Sequence, residues 1–426
     1  MTPGSTHSTS RGKIVEIGAK GDVADDDAPV DMGGVTVMPG MIDAHVHLCL
    51  DPEERDPLAH GRRADDVLLA QMTERAEAMA RAGITTARDL GGGRWLELEI
   101  RDRIPGRHHR ATQAGRPANR SRLRRGIATL VGSRYGEEAL AVLARQVASG
   151  ADLIKVMATG GAMTPNSKPM DAQFDEATLA AITAAAAESG RHVAAHCHGT
   201  GGIHNAAAAG VATIEHCSWL TRRGWGSAYH EATARLIVQV PSMFHRRLVW
   251  GGAGGSRSFL ETQMRQNFAA MKSIGVQFIA STDAGIPNVY HSDLPKALPV
   301  FGHYVGLSPV EVLRAATSES AKAIGLEAVC GADCRRLQAD LVCIDGKPAV
   351  DLHLCRPLEV LCRRAWPWAC EKSSRGARSR CRSALYHLSL YDLCRQQLSF
   401  VFQYRRDIHD GEFCSILQRQ GRQLLV

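Results

Sequence analysis

Pro39-Gly40-Met41-Ile42-Asp43-Ala44-His45-Val46-His47-Leu48 is the stretch whose reading decides the fold. An apolar run ends in two histidines one residue apart. Alternate residues of a β-strand share a face, so both imidazoles can reach one ion. Working outward, Lys155, His196, His216 and Asp283 each stand at the end of their own apolar run. Their spacing leaves room for a helix between one run and the next, as in successive strands of an α/β barrel. One His-x-His is weak evidence; five matched positions in order are strong.

The segments between these positions support alternation. Asp65–Ala82 is rich in Ala, Leu and Met at helical spacing, and Gly83-Ile-Thr-Thr-Ala-Arg-Asp-Leu reads as a second strand. Further helices are expected over Glu137–Ser149 and Glu176–Ser189, and over His204–Ala209, where Gly210 closes one. Ser308 and Pro309 supply a cap and a first-turn proline to a helix running to about Ile324. Strand and helix in alternation give a parallel sheet with right-handed crossovers. The short Val/Ile strands KIVEIG and VTVMPG, which begin within Lys13–Val37, belong to a small β-domain, with partner strands from around Ala339–Ile344. Gly251–Gly255 lacks the strand and helix of a phosphate loop and reads as a mobile loop.

Composition sets bounds. The chain has 426 residues, 44% of them hydrophobic, enough for a barrel of about 250 residues with a smaller appended domain. It has no apolar run of about 18 residues, and its first residues are polar with no signal core. The expectation is a soluble cytoplasmic protein without a membrane partner. The net charge of +7 comes largely from Arg101–Arg125 and from arginines after Arg356. Neither run carries interleaved aromatics or a nucleic-acid module, so no nucleic-acid partner is expected.

Two stretches look foreign to the rest. Arg101–Arg125 holds nine arginines where a buried parallel strand should be a Val/Ile/Leu run. Nine of the twelve cysteines fall at or after Cys330, with no CxxC pair among them. Both have the texture of a shifted reading frame, which resequencing of the gene tests directly. The alternative is a natural divergent loop and tail.

Pro39–Leu48, Asp152–Pro165, Val193–Gly199, Thr213–Cys217 and Ser281–Gly285 together resemble the amidohydrolase superfamily. The run Ile154-Lys155-Val156-Met157-Ala158-Thr159-Gly160-Gly161 looks most like its metal-dependent dipeptidase branch: Xaa-Pro dipeptidases, carboxypeptidases and ochratoxinase-like amidases. The resemblance covers roughly residues 12–100 and 136–350. It implies an α/β fold, a (β/α)8 TIM barrel with a small β-sandwich domain formed by the N- and C-terminal flanking segments. The domains would be 12–38 and 329–350 for the β-domain, and 39–328 for the barrel, with 101–130 anomalous and 351–426 an anomalous tail.

The resemblance also implies the chemistry. His45 and His47 would hold a first metal and His196 and His216 a second. Asp283 would complete the first site, and carbamylated Lys155 would bridge both ions. The cofactors would be two divalent ions, zinc by default from the ligand types, with manganese, cobalt or iron compatible. The expected catalytic residues are Asp283 and His216, with a bridging hydroxide attacking an amide or peptide-like C–N bond and Asp283 as general acid and base. Asp43 would share the strand face or orient a ligand, and His198 would form pocket wall, with His196 the preferred ligand of the pair. His192 and His204 read as ordinary. Arg222, Arg223, Tyr229, His230, His245, Arg246, Arg247 and Tyr290 are candidate pocket groups, as is the rim loop Thr159–Pro165. The substrate partner would be a small molecule, a dipeptide, N-acyl amino acid or related amide, and homo-oligomerisation is compatible. Two alternatives stand beside this: a mononuclear deaminase or cyclic-amide or lactone hydrolase, which Lys155 disfavours, and an inactive relic barrel.

Overall fold

The computed structural model describes residues 5–10, 12–19, 35–54, 56, 59–92, 94–103, 110–111, 130–131, 136–161, 167–220, 229–237, 242–245, 257–355 and 357–361. These all fall within the unit Met1–Tyr386. The strands are β1 (Ser5–Ser10), β2 (Lys13–Ala19), β3 (Thr36–Pro39), β4 (Met41–Val46), β5 (Ile84–Asp89), β6 (Arg110–Ala111), β7 (Leu130–Val131), β8 (Leu153–Met157), β9 (His192–Gly199), β10 (Thr213–Leu220), β11 (Ser242–His245), β12 (Phe278–Ser281), β13 (Leu341–Ile344) and β14 (Pro357–Leu361). The helices are α1 (Asp65–Arg81), α2 (Leu96–Arg103), α3 (Gly136–Ala148), α4 (Glu176–Glu188), α5 (Thr200–Ala208), α6 (Glu231–Ile237), α7 (Arg257–Ser273), α8 (Leu294–Val305), α9 (Pro309–Ala315) and α10 (Ser318–Ala323).

Strands β7 to β12 form a parallel sheet in chain order, and β4, β5 and β6 form a second. The end of β4 meets the end of β12: Asp283 N–H donates to the His45 carbonyl at 2.9 Å and His47 N–H to the Ala284 carbonyl at 2.8 Å. Every residue of β4, β5 and β12 is buried, as a parallel strand covered on both faces requires. Helices between the strands bury Leu68, Met72 and Met79 of α1 and Leu179, Ile182 and Ala186 of α4 in the same core as Val46, Ile154 and Val193. Asp175 caps α4 by accepting from Thr178 N–H at 2.8 Å.

A separate antiparallel sheet runs β14-β13-β3, with Val342 opposite Met38. The hairpin β1-β2 is a sheet of its own, and Lys13 of β2 makes an isolated antiparallel bridge to Gln338, just before β13. The helix expected from Pro309 to about Ile324 is broken. It ends at Ala315, and the Ala316 carbonyl turns away to accept from Ile42 N–H of β4 at 2.8 Å. The chain restarts as α10 after Thr317, so tertiary bonding to β4 outweighs helix continuity. Among the described residues no helix is long and apolar enough to cross a membrane. Most of Arg101–Arg125, all of Gly251–Gly255 and everything past Leu361 lie outside the described residues.

Candidate metal centre

Strand β4 delivers His45 and, one step past its end, His47. Their Nε2 atoms approach to 3.3 Å. Each ring is turned by a bond at its other nitrogen. His45 Nδ1–H donates to Glu215 Oε2 at 2.7 Å, and His47 Nδ1–H donates to the Gly91 carbonyl at 2.5 Å. A neutral imidazole that donates from Nδ1 keeps its lone pair on Nε2, so the two lone pairs meet. Asp283 Oδ1 lies 3.3 Å from His45 Nε2 and 3.4 Å from His47 Nε2.

Strands β9 and β10 supply a second group. His196 Nδ1 lies 2.8 Å from His216 Nε2, while His196 Nε2–H donates to the Gly160 carbonyl at 3.2 Å. The His198 ring stacks on His216 at a centroid distance of 4.5 Å, and its Nδ1 lies 2.6 Å from Ser218 Oγ. The metal-ligating atoms of His45, His216 and Asp283 all lie within 4.8 Å of one another, and so do those of His196, His198 and His216. His216 belongs to both groups. These are donor sets of the kind that hold a divalent transition metal.

Two of these residues leave extended geometry. His216 has φ 71° and Asp283 φ 60°, both left-handed. Such conformations in non-glycine residues cost about 1–3 kcal/mol each and cluster where a side chain must be aimed. Here they aim His216, where the regular pairing of β10 with β9 breaks, and Asp283, just past β12, towards His45. Gly285, at φ 104°, follows closely: a Cβ there would lie 2.4 Å from the His47 carbonyl.

Lys155 on β8 is 2% exposed, and its Nζ has no hydrogen-bond partner among the described residues. Burial penalises its ammonium form more than Glu215 and Asp283 favour it, so its pKa falls to about 8. Its charge is felt by His45 and His196, whose pKa values burial, chiefly, has already lowered. An unpaired amine in such a place is costly, and conversion to an anionic ligand would relieve it.

Sequence reasoning missed one feature of the centre, the buried ion pair of Glu215 and Arg88. Glu215 Oε1 accepts from Arg88 Nη2–H at 2.8 Å and from the Thr213 hydroxyl at 2.8 Å. Arg88 Nε–H donates to the Ala44 carbonyl at 2.6 Å and Nη1–H to Thr213 Oγ1 at 3.1 Å. Burial alone would raise the Glu215 carboxyl, but Arg88 and His45 outweigh it and hold it well below the usual range. The signal was available: a Glu inside Thr213–Cys217 and an Arg inside Ile84–Asp89 are charges in buried strands, and such charges need partners.

The remaining candidates scatter. Asp43 accepts from Thr282 and from His45 N–H, so it braces strand ends. His192 is exposed, and His204 Nδ1 lies 3.0 Å from Thr233 Oγ1. His230 Nδ1 contacts the same Thr233 oxygen at 2.8 Å. Tyr229 packs edge-on against Trp219 at 5.2 Å, and exposed Tyr290 donates from its hydroxyl to Glu53 at 3.4 Å. Thr159, Gly160 and Gly161 border the second group. Residues 162–166, Arg222, Arg223, Arg246, Arg247 and the His245 side chain lie outside the described residues.

Parallel strands here gather imidazoles and a carboxylate into two groups of the metal-ligating kind. The family model for the amidohydrolase family matches residues 36–366, and the chain belongs to that family. Ochratoxinase of Aspergillus niger is 28% identical over 226 residues, 51% of this chain and 46% of the relative. The chain thus spans about half the length of the curated relatives it matches. A prolidase solved with N-methylphosphonate-L-proline superposes with a TM-score of 0.69 at 23% identity, covering 83% of this chain and 92% of the other. A Xaa-Pro dipeptidase with bound methionine gives 0.66 at 22%, covering 85% and 97%. Likeness at that identity shows the fold alone, an α/β fold in keeping with the parallel strands and intervening helices. The dipeptidase-like branch that the Lys155 run resembles is the one these relatives come from.

Proposed function

We propose that the chain is a binuclear metal amidohydrolase cleaving an amide or peptide-like C–N bond of a small substrate. The observation that carries this is Lys155, an orphaned buried amine beside two groups of metal-ligating atoms that share His216. In this reading His45, His47 and Asp283 hold one ion and His196 and His216 the other. Lys155, if carbamylated at Nζ, would supply an anionic ligand to them. Zinc suits these ligands. Two such cations lower the pKa of water and polarise a carbonyl.

The chain's own residues do the rest. The Nδ1–H donors of His45 and His47, fixed by Glu215 and Gly91, keep both Nε2 lone pairs inward. Asp283, with Oδ1 beside those nitrogens, takes the proton of the attacking water at its carboxylate and delivers it to the leaving nitrogen. His216, aimed by its left-handed backbone, stands in both groups of candidate ligands and would help hold the second ion with His196. A barrel over 39–328, with a small β-domain from 12–38 and 329–350, would carry this site.

A mononuclear reading has one observation in its favour, the three-histidine group of His196, His198 and His216. Hydrolysis assays separate activity from inactivity: prolyl dipeptides, N-acyl amino acids and an ochratoxin-type amide are offered to chelated and to zinc-restored enzyme. The proposal expects release of an amino acid from at least one class, lost on chelation and regained with metal. No cleavage of any class by metal-replete, folded protein would contradict it.

A further inference from the structure

We propose that Glu215, clamped by Arg88, is a positioning residue that holds His45 in its Nδ1–H tautomer and so presents the Nε2 lone pair to the candidate metal centre. This rests on the reading of His45 as a ligand. An ionised carboxylate accepts hydrogen bonds and donates none. Facing it at 2.7 Å, His45 Nδ1 must carry the proton. Arg88 fixes the carboxylate in turn, because its fork spans Glu215, Thr213 and the Ala44 carbonyl, the residue before His45. One guanidinium therefore ties β5, β10 and β4 around a single ring.

Fold stability alone does not explain the pair. Glu215 and Arg88 are 0% and 3% exposed. A buried ion pair is often no more stabilising than well-packed apolar residues of the same volume. What apolar residues cannot do is choose a tautomer. His47 makes an informative contrast: its Nδ1–H goes to the backbone carbonyl of Gly91, an acceptor no side-chain change removes. Of the two neighbouring rings, only His45 depends on a side chain for its tautomer. Partners of this kind set ligand orientation, and their loss lowers metal affinity by roughly 10–100-fold.

The test uses full-length protein labelled with ¹⁵N-histidine, stripped of metal by chelation, with the His45 signals assigned through a His45→Gln variant. Wild type should show His45 protonated at Nδ1. In Glu215→Gln the introduced amide must turn its oxygen to Arg88 and its NH2 to His45, so the ring should switch to Nε2–H. Zinc affinity, measured by competition with a chelating dye, should then fall roughly 10–100-fold. Adding Arg88→Met to Glu215→Gln lets the amide rotate and accept from His45, so the Nδ1–H signature and part of the affinity should return. Should the single variant fail to fold, Arg88→Met/Glu215→Gln is compared with Arg88→Met/Glu215→Leu, which offers no acceptor and should lose the tautomer. An unchanged Nδ1–H signature and zinc affinity in both Glu215→Gln and the Leu-containing pair would overturn the inference. Because the tautomer is read without metal, a wild type that shows Nδ1–H yet takes up no zinc supports the clamp while contradicting the metal reading.

Discussion

The Asp43 carboxylate takes two hydrogen bonds from Thr282, one from its backbone N–H at 3.1 Å and one from its hydroxyl at 2.5 Å. The two residues are 239 apart in sequence and join the first strand of the parallel array to the residue before Asp283. That tie fixes where Asp283 stands relative to His45 and His47. Thr282→Val keeps the shape and removes one donor from a fully buried carboxylate. It should destabilise the protein by about 1–3 kcal/mol, read by denaturant unfolding, and lower its metal content in parallel.

Lys155 sets stability against the site. Lys155→Met replaces an orphaned amine with an apolar chain of similar length. Metal-free variant should be more stable than metal-free wild type by about 1–3 kcal/mol, while metal uptake collapses. Chemical denaturation in chelator measures the first effect, elemental analysis the second. A less stable metal-free variant would show that the amine has a partner.

Helix α9 begins with a reciprocal cap. Ser308 Oγ accepts from Glu311 N–H at 3.4 Å, and Glu311 Oε2 accepts from Ser308 N–H at 2.7 Å. These bonds from Ser308, backbone first, lower the Glu311 pKa below its ordinary 4.5. A depressed carboxylate contributes stability that is complete above its unfolded value and lost as pH falls through the folded one. The stability gap between wild type and Glu311→Gln should therefore be constant near neutrality and shrink below pH 4.5. Ser308→Ala should cost about 1 kcal/mol at neutral pH. Unfolding curves at several pH values check both, and a gap that widens on acidification would refute the assignment.

The cysteines near the end of the described region differ sharply in access. Cys334 is exposed, whereas burial pushes the Cys330 thiol up to about 11 and the Cys355 thiol up to about 12. Reactivity follows the thiolate. Brief iodoacetamide treatment of native protein at pH 8, mapped by peptide mass, should label Cys334 well before Cys330, Cys343 and Cys355. Equal labelling of all four would mean this segment opens readily.

The candidate metal ligands were legible because a polar residue ending an apolar run is a local signal. His45, His47, His196, His216 and Asp283 each carry it, and each lies within a strand or just past one. Pairings across the fold were not legible. Arg88 meets Glu215 across 127 residues, and no local pattern names the partner of a buried charge. The left-handed backbone at His216 and Asp283 was equally hidden, since neither residue type demands it. The break between α9 and α10 came from the bond between Ala316 and Ile42, a tertiary contact that overrode a helical pattern. Substrate choice stayed dark for a different reason: the candidate arginines sit in segments with no apolar period to place them.

Metal content per chain is the measurement that tests the central claim most directly. Purified, folded protein grown with zinc should carry about two equivalents, falling to one or fewer in Lys155→Ala. One equivalent that Lys155→Ala leaves unchanged would contradict the bridged centre and favour the three-histidine site. No bound metal in folded protein would contradict both.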